Sequence, residues 1–133
     1  MQISALVRNS GSSHQVSVST NDSSQSLRVP AKPIGNGSGV NGGEFLMLAL
    51  ATCYCNDLYR EAHRMGISLA RVEVEATAEF PGVGLAASNI QYRAEVESLA
   101  SPEQVAQLVR ETDAVAEVHN TIRAGVPVVL VSS

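Results

Sequence analysis

From Phe45 to Cys55 the chain reads FLMLALATCYC, and Thr52 is the one clearly polar side chain in that run. Asn41 and Glu44 before it have capping-box spacing, with Asn in place of the usual Ser or Thr. Gly66 supplies a stop, preceded by His63 and Arg64, which suit the negative end of a helix. The spacing predicts a helix over 44–65, roughly 33 Å long. A helix that is apolar all round must be buried all round. From Asn56 onward it turns amphipathic, with Leu58, Ala62 and Met65 apolar. A chain of 133 residues has little left over to wrap such a rod. Charged residues are 17% of the sequence, below the roughly 25% typical of soluble domains. Both facts point to a second copy covering the exposed side, and a homodimer is expected.

The remaining segments read as short strands and two helices. "QISALVR" (2–8) and "HQVSVST" (14–20) flank the turn-forming "NSGSS", and "SLRVP" (26–30) is a third strand stopped by Pro30. "AKPIGNGSGVNGG" (31–43) is too long and glycine-rich for a tight connection, so it is mobile or functional. "ARVEVEATAEF" (70–80) alternates strictly, with Val72, Val74, Ala76, Ala78 and Phe80 on one face. "SNIQYRAEV" (88–96) does the same, so the two read as a hairpin with one wet face. Ser101-Pro102-Glu103-Gln104 is a helix start, "AVAEVHNTIRAG" (114–125) is a second helical piece, and "VPVVLV" reads as a closing strand. The order β-β-β-α-β-β-α-α-β is α+β, in one domain over 1–133.

Several function classes are disfavoured. The net charge is -4 with no basic cluster, so no nucleic-acid footprint is present. The N-terminus lacks an apolar signal core and no apolar stretch reaches membrane-spanning length. Two cysteines two residues apart are not a secreted disulfide framework. A cytoplasmic protein without a membrane partner is expected.

Cys53 and Cys55 are the only cysteines. Residues two apart on a helix are about 200° apart around its axis, so these thiols point to nearly opposite sides. A disulfide between them is disfavoured. Cys53, Cys55 and His63 present no tetrahedral zinc set on one face, so neither a metal nor a cofactor is expected. Free cysteine is often only a small core residue. A reactive one needs access and a nearby cation. Arg8 and Arg28 are candidates for that cation.

"GVNGGEFLMLALATCYCNDLYREAHRMGI" resembles the central-helix signature of the OsmC/Ohr family, the osmotically inducible and organic-hydroperoxide-resistance proteins. In that signature a Gly/Pro-rich loop leads to a Glu, and a cysteine follows nine residues later, as Cys53 follows Glu44. "LRVPAKPIGNGSG", "VRNSG" and "HNTIRAGVPVVL" resemble the lead-in, the first turn with its Arg, and the ending. The resemblance implies an intertwined homodimer, with antiparallel sheets around long central helices. It implies that a helix cysteine attacks a hydroperoxide, becomes a sulfenic acid, and is trapped by a second cysteine and restored by a thiol reductant.

Carried across residue by residue, Cys53 matches the peroxidatic cysteine, Arg8 the assisting arginine, and Glu44 the Glu of the OsmC-like branch. Ohr members place that Glu one residue earlier, where this chain has Gly43. The family's "CPxxN" falls on "AEVHN", so Ala116 occupies the resolving position and Glu117 replaces the proline. A sulfenic acid at Cys53 then needs an external thiol, Cys55 or a cysteine of the second subunit to escape over-oxidation. His119, about one turn beyond Ala116, is an accessory acid–base candidate. Tyr54 and Tyr59 are read as packing residues and His63 and Arg64 as a solvated helix end.

Two functions stay open. One is a one-cysteine thiol-dependent peroxidase acting on an organic hydroperoxide with an external thiol. The other is a dimeric binding module for a small hydrophobic ligand, with both cysteines structural.

Overall fold

Asn41 and Glu44 start the long helix as their spacing predicts. In the computed structural model, which describes residues 1–132, the Asn41 N–H donates to Glu44 Oε1 at 3.0 Å. The Glu44 N–H donates in turn to Asn41 Oδ1 at 2.7 Å. This reciprocal box satisfies amide donors that a helix start leaves without partners. Helix α1 runs Gly42–Arg64. It ends at Gly66, whose φ of 70° is left-handed backbone that a side chain resists.

The chain divides into two compact units, Met1–Phe45 and Leu46–Ser133. The first holds an antiparallel meander, β1 (Ile3–Ser10), β2 (Ser13–Thr20) and β3 (Ser23–Leu27), in that order. Val16 of β2 faces Val7 on one side and Leu27 on the other, and it is the buried residue of the sheet. The loop that follows is tethered within this unit. Ala31 bridges Ser38, and the Gly37 N–H donates to Asn9 Oδ1 at 3.3 Å. A Cβ on Gly39 would meet the Pro30 carbonyl oxygen at 3.0 Å, so the loop closes on itself tightly.

The second unit packs α1 against a hairpin and two helices. Strands β4 (Leu69–Glu79) and β5 (Ser88–Ser98) pair antiparallel, with Val72 opposite Val96, Val74 opposite Ala94 and Ala76 opposite Tyr92. Those residues form the inner face. Glu73, opposite Glu95, and Glu75, opposite Arg93, form the wet one. Helix α2 spans Pro102–Val115 and α3 spans Glu117–Ala124. Ser101 caps α2 in a full box with Gln104, as the sequence predicts. The core comprises Tyr54, Leu58, Ala62, Ile67, Leu108 and Ala116, with Val72, Val74, Tyr92, Ala94 and Val96 packed against it. Leu58 and Leu108 are fully buried, each gaining about 1.5–3 kcal/mol from the burial.

Two expectations are corrected. The helical piece read over 114–125 is split, because Ala116 is extended (φ -73°, ψ 108°) and separates α2 from α3. The last segment, VPVVLV (126–131), forms no strand, so the element order ends α-α. An apolar run becomes a strand only with a ladder partner, and the single chain offers it none. Val128 and Leu130 are fully exposed as a result. Leu48 on α1, expected to be covered all round, is 56% exposed in the single chain. The α+β class with antiparallel sheets holds. Among the described residues no helix is long and apolar enough to cross a membrane.

Candidate active site

Helix α1 carries Cys53, Asp57 and Arg60 at one-turn spacing, which brings all three to one side of the helix. The extended turn at Ala116 then delivers Glu117, the first residue of α3, to the same place. The Cys53 thiol lies 3.5 Å from Asp57 Oδ2 and 3.7 Å from Glu117 Oε2. Arg60 Nη1 donates to Asp57 Oδ1 at 2.9 Å and to Glu117 Oε1 at 3.3 Å. Arg60 Nε donates to Glu61 at 3.1 Å, and Arg64 reaches Glu61 from the far side at 3.0 Å.

This surrounding acts on the thiol's acidity. Burial pushes the Cys53 thiol above its ordinary value, and the negative charges of Asp57 and Glu117 push it further. A backbone hydrogen bond at Val118 works the other way. Asp57 is 5% exposed, and burial raises its carboxyl, with the neighbouring Glu117 adding to the shift. Glu117 titrates lower, held first by its own backbone amide. Arg60 is engaged by both carboxylates. The thiol is kept protonated, whereas the sequence reading expects a cation to favour the thiolate.

Ligand atoms of Cys53, Asp57 and Glu117 lie within 4.8 Å of one another. Arg60 holds Asp57 Oδ1 and Glu117 Oε1 while Asp57 Oδ2 and Glu117 Oε2 face the sulfur, so the set is an ion-paired cluster already balanced in part.

The other predicted residues fall elsewhere. Cys55 is a free, half-buried thiol that takes no part in the Cys53 contacts. Glu44 is exposed and bonded in the α1 capping box. Arg8 stands in the first unit, opposite Gln15 on β1, where it lines a groove with Leu6, Val16 and Leu27. His119 is buried against Tyr54 and Tyr92, with ring centroids 5.8 Å and 4.4 Å away, and is not a hydrogen-bond partner of Cys53. Tyr54 packs as expected, its hydroxyl donating to the Val109 carbonyl at 2.8 Å, and burial pushes it up to about 12. Asp57 and Arg60 escaped the sequence reading. Their spacing from Cys53 was the available signal, together with an acidic residue where the family has a proline.

The chain matches the family model described as OsmC-like protein over residues 35–131. No curated protein sequence matches it. Among solved structures it is similar to an OsmC-like protein from Mycoplasma pneumoniae at 18% identity and a TM-score of 0.64, covering 92% of this chain and 86% of that one. It is similar to an organic hydroperoxide resistance protein OsmC from Legionella pneumophila at 17% identity and a TM-score of 0.60, covering 92% and 90%. An organic hydroperoxide resistance protein from Elizabethkingia anophelis, with thiocyanate bound, aligns at 16% identity and a TM-score of 0.62, covering 92% and 89%. These likenesses show a shared fold.

Proposed function

The chain belongs to the OsmC-like family, and from that premise we propose that it is a one-cysteine, thiol-dependent hydroperoxide reductase with Cys53 as nucleophile. The observation that carries the reading is a free, half-exposed Cys53 thiol beside the turn at Ala116. That turn is where the family resemblance expects a second cysteine. Two structural neighbours are named for organic hydroperoxide resistance, which favours an organic hydroperoxide as substrate.

The chemistry follows from the residues present. Cys53 sulfur attacks the outer oxygen of ROOH and the O–O bond breaks. ROH leaves, and Cys53 becomes a sulfenic acid. The thiol proton passes to the leaving alkoxide, with Asp57 the nearer acceptor on the way. Ala116 offers no sulfur, so an external thiol condenses with the sulfenic acid, releasing water and forming a mixed disulfide. A second external thiol then restores Cys53 and leaves as the oxidised disulfide. The family resemblance is the ground for proposing Arg8 and Glu44 as assisting residues.

The working form we infer is a homodimer of one OsmC-like domain per chain. Exposed Leu48, Val128 and Leu130 favour it, because a second copy removes that apolar surface from water. Free thiols favour a reducing compartment, and the cytoplasm fits.

The carboxylates around Cys53 favour a second reading, a binding module whose thiols are structural. A peroxide-consumption assay separates the two. With cumene hydroperoxide and dithiothreitol, the reductase reading expects turnover by the wild type and by Cys55→Ser, and none by Cys53→Ser. Equal background rates for all three proteins support the binding module.

A further inference from the structure

One turn before Cys53 on α1, within the second unit, Leu50, Ile90, Tyr92, His119, Ile122 and Arg123 line a cleft of about 440 Å³. That volume suits a small molecule. Leu50, Ile90 and Ile122 give it apolar surface, and the polar groups are unusually arranged.

His119 is 3% exposed and neither ring nitrogen has a hydrogen-bond partner. Buried polar atoms without partners are rare because each costs free energy. Arg123, by contrast, is held firmly on one side. Its Nη2 lies 2.6 Å from Asp113 Oδ1, and its Nη1 donates to the Asp113 carbonyl and to Asn120 Oδ1, each at 3.2 Å. Asp113 is itself fixed by the Tyr92 hydroxyl. A guanidinium has five N–H donors. These three bonds leave the Nε–H and one Nη2–H, which share the edge that meets a carboxylate with two parallel bonds. The unused donors of Arg123 call for a group that only accepts. A carboxylate is such a group.

We propose that this cleft binds a small apolar monocarboxylate, its carboxylate on the open edge of Arg123 and its hydrocarbon against Leu50, Ile90 and Ile122. The site is separate from the Cys53 contacts and does not depend on peroxide chemistry.

The test is a ¹⁹F NMR titration of the reduced full-length protein with 4-fluorobenzoate. Saturable one-site binding is expected, unchanged in Cys53→Ser and competed by benzoate. Arg123→Gln should weaken it about tenfold, the worth of one good charged hydrogen bond. Ile122→Trp, which fills the cleft from a half-buried position, should abolish it with the circular dichroism spectrum intact. Neutral 4-fluorobenzamide should bind about tenfold more weakly. Absence of saturation overturns the proposal, as does equal binding of the amide or unaltered binding by both Arg123→Gln and Ile122→Trp. Binding that appears only on dilution assigns the cleft to a second copy of the chain and overturns it too.

Discussion

Glu117 Oε2 lies 3.7 Å from Cys53 Sγ, although 64 residues separate them in sequence. The extended turn at Ala116 makes this approach, and it sets the chemistry of the thiol. In a thiol-dependent reductase the nucleophile is the thiolate, so a carboxylate at this distance would slow the proposed reaction at neutral pH. Glu117→Gln removes that charge. We expect several-fold faster alkylation of Cys53 by neutral iodoacetamide at pH 7, followed by peptide mass. A rate equal to or below the wild type would show that Glu117 does not act on the thiol.

Removing Asp57 has a different outcome from removing Glu117. Asp57→Asn also takes a carboxylate from Cys53, but it frees Arg60 Nη1 from its shorter partner, at 2.9 Å. A cation without that partner favours the thiolate further. Asp57→Asn should raise the alkylation rate at least as much as Glu117→Gln, and the double variant should exceed either. Single and double variants no faster than the wild type would mean burial alone sets the thiol's acidity.

The elements that sequence reading recovered are those set by local chemistry. Val72, Val74 and Ala76 alternate with Glu73, Glu75 and Thr77, and that alternation is a strand on any scaffold that buries one face. Asn41 with Glu44, and Ser101 with Gln104, are caps whose bonds span three residues. The match of Cys53 to the family's cysteine rests on its spacing from Glu44, which is local too. What escaped depends on the chain returning to itself. VPVVLV has strand composition, but composition does not say whether a partner lies in the same chain. The acidic setting of Cys53 needs Glu117 brought in from α3, and no periodicity on α1 announces it. His119 was read as a candidate near the thiol. Its ring packs against Tyr54 and Tyr92.

His119 also makes stability depend on pH. Burial lowers its pKa in the folded protein, and Arg123 of α3 adds to the shift, partly opposed by Asp113 of α2. Tyr54 of α1 and Tyr92 of β5 complete its surroundings. The unfolded chain then binds the proton more tightly, so unfolding is favoured as pH falls through the ordinary histidine value, about 6.5. Asp113 has a lowered pKa through Tyr92 and Arg123, so its contribution is lost only in more acid solution. Urea midpoints should fall between pH 7 and pH 5.5, and His119→Phe should flatten that limb. A fall of the same size in His119→Phe would place its cause elsewhere.

Leu108 is fully buried against the core of the second unit. Leu108→Ala should cost about 2–5 kcal/mol, the range for a leucine whose cavity does not collapse. Ser101→Ala, which breaks the α2 cap, should cost about 1 kcal/mol. Both are read from urea unfolding at one fixed protomer concentration, since association would shift the midpoint. A cap loss larger than the core loss would contradict the packing described for α2.

Mass analysis of the reduced protein after brief cumene hydroperoxide treatment, with dimedone present to trap sulfenic acid, bears most directly on the assignment of Cys53. A single dimedone adduct mapped to Cys53, absent in Cys53→Ser, retained in Cys55→Ser and lost when dithiothreitol is added first, is the predicted result. No adduct at Cys53, or one confined to Cys55, would contradict the account.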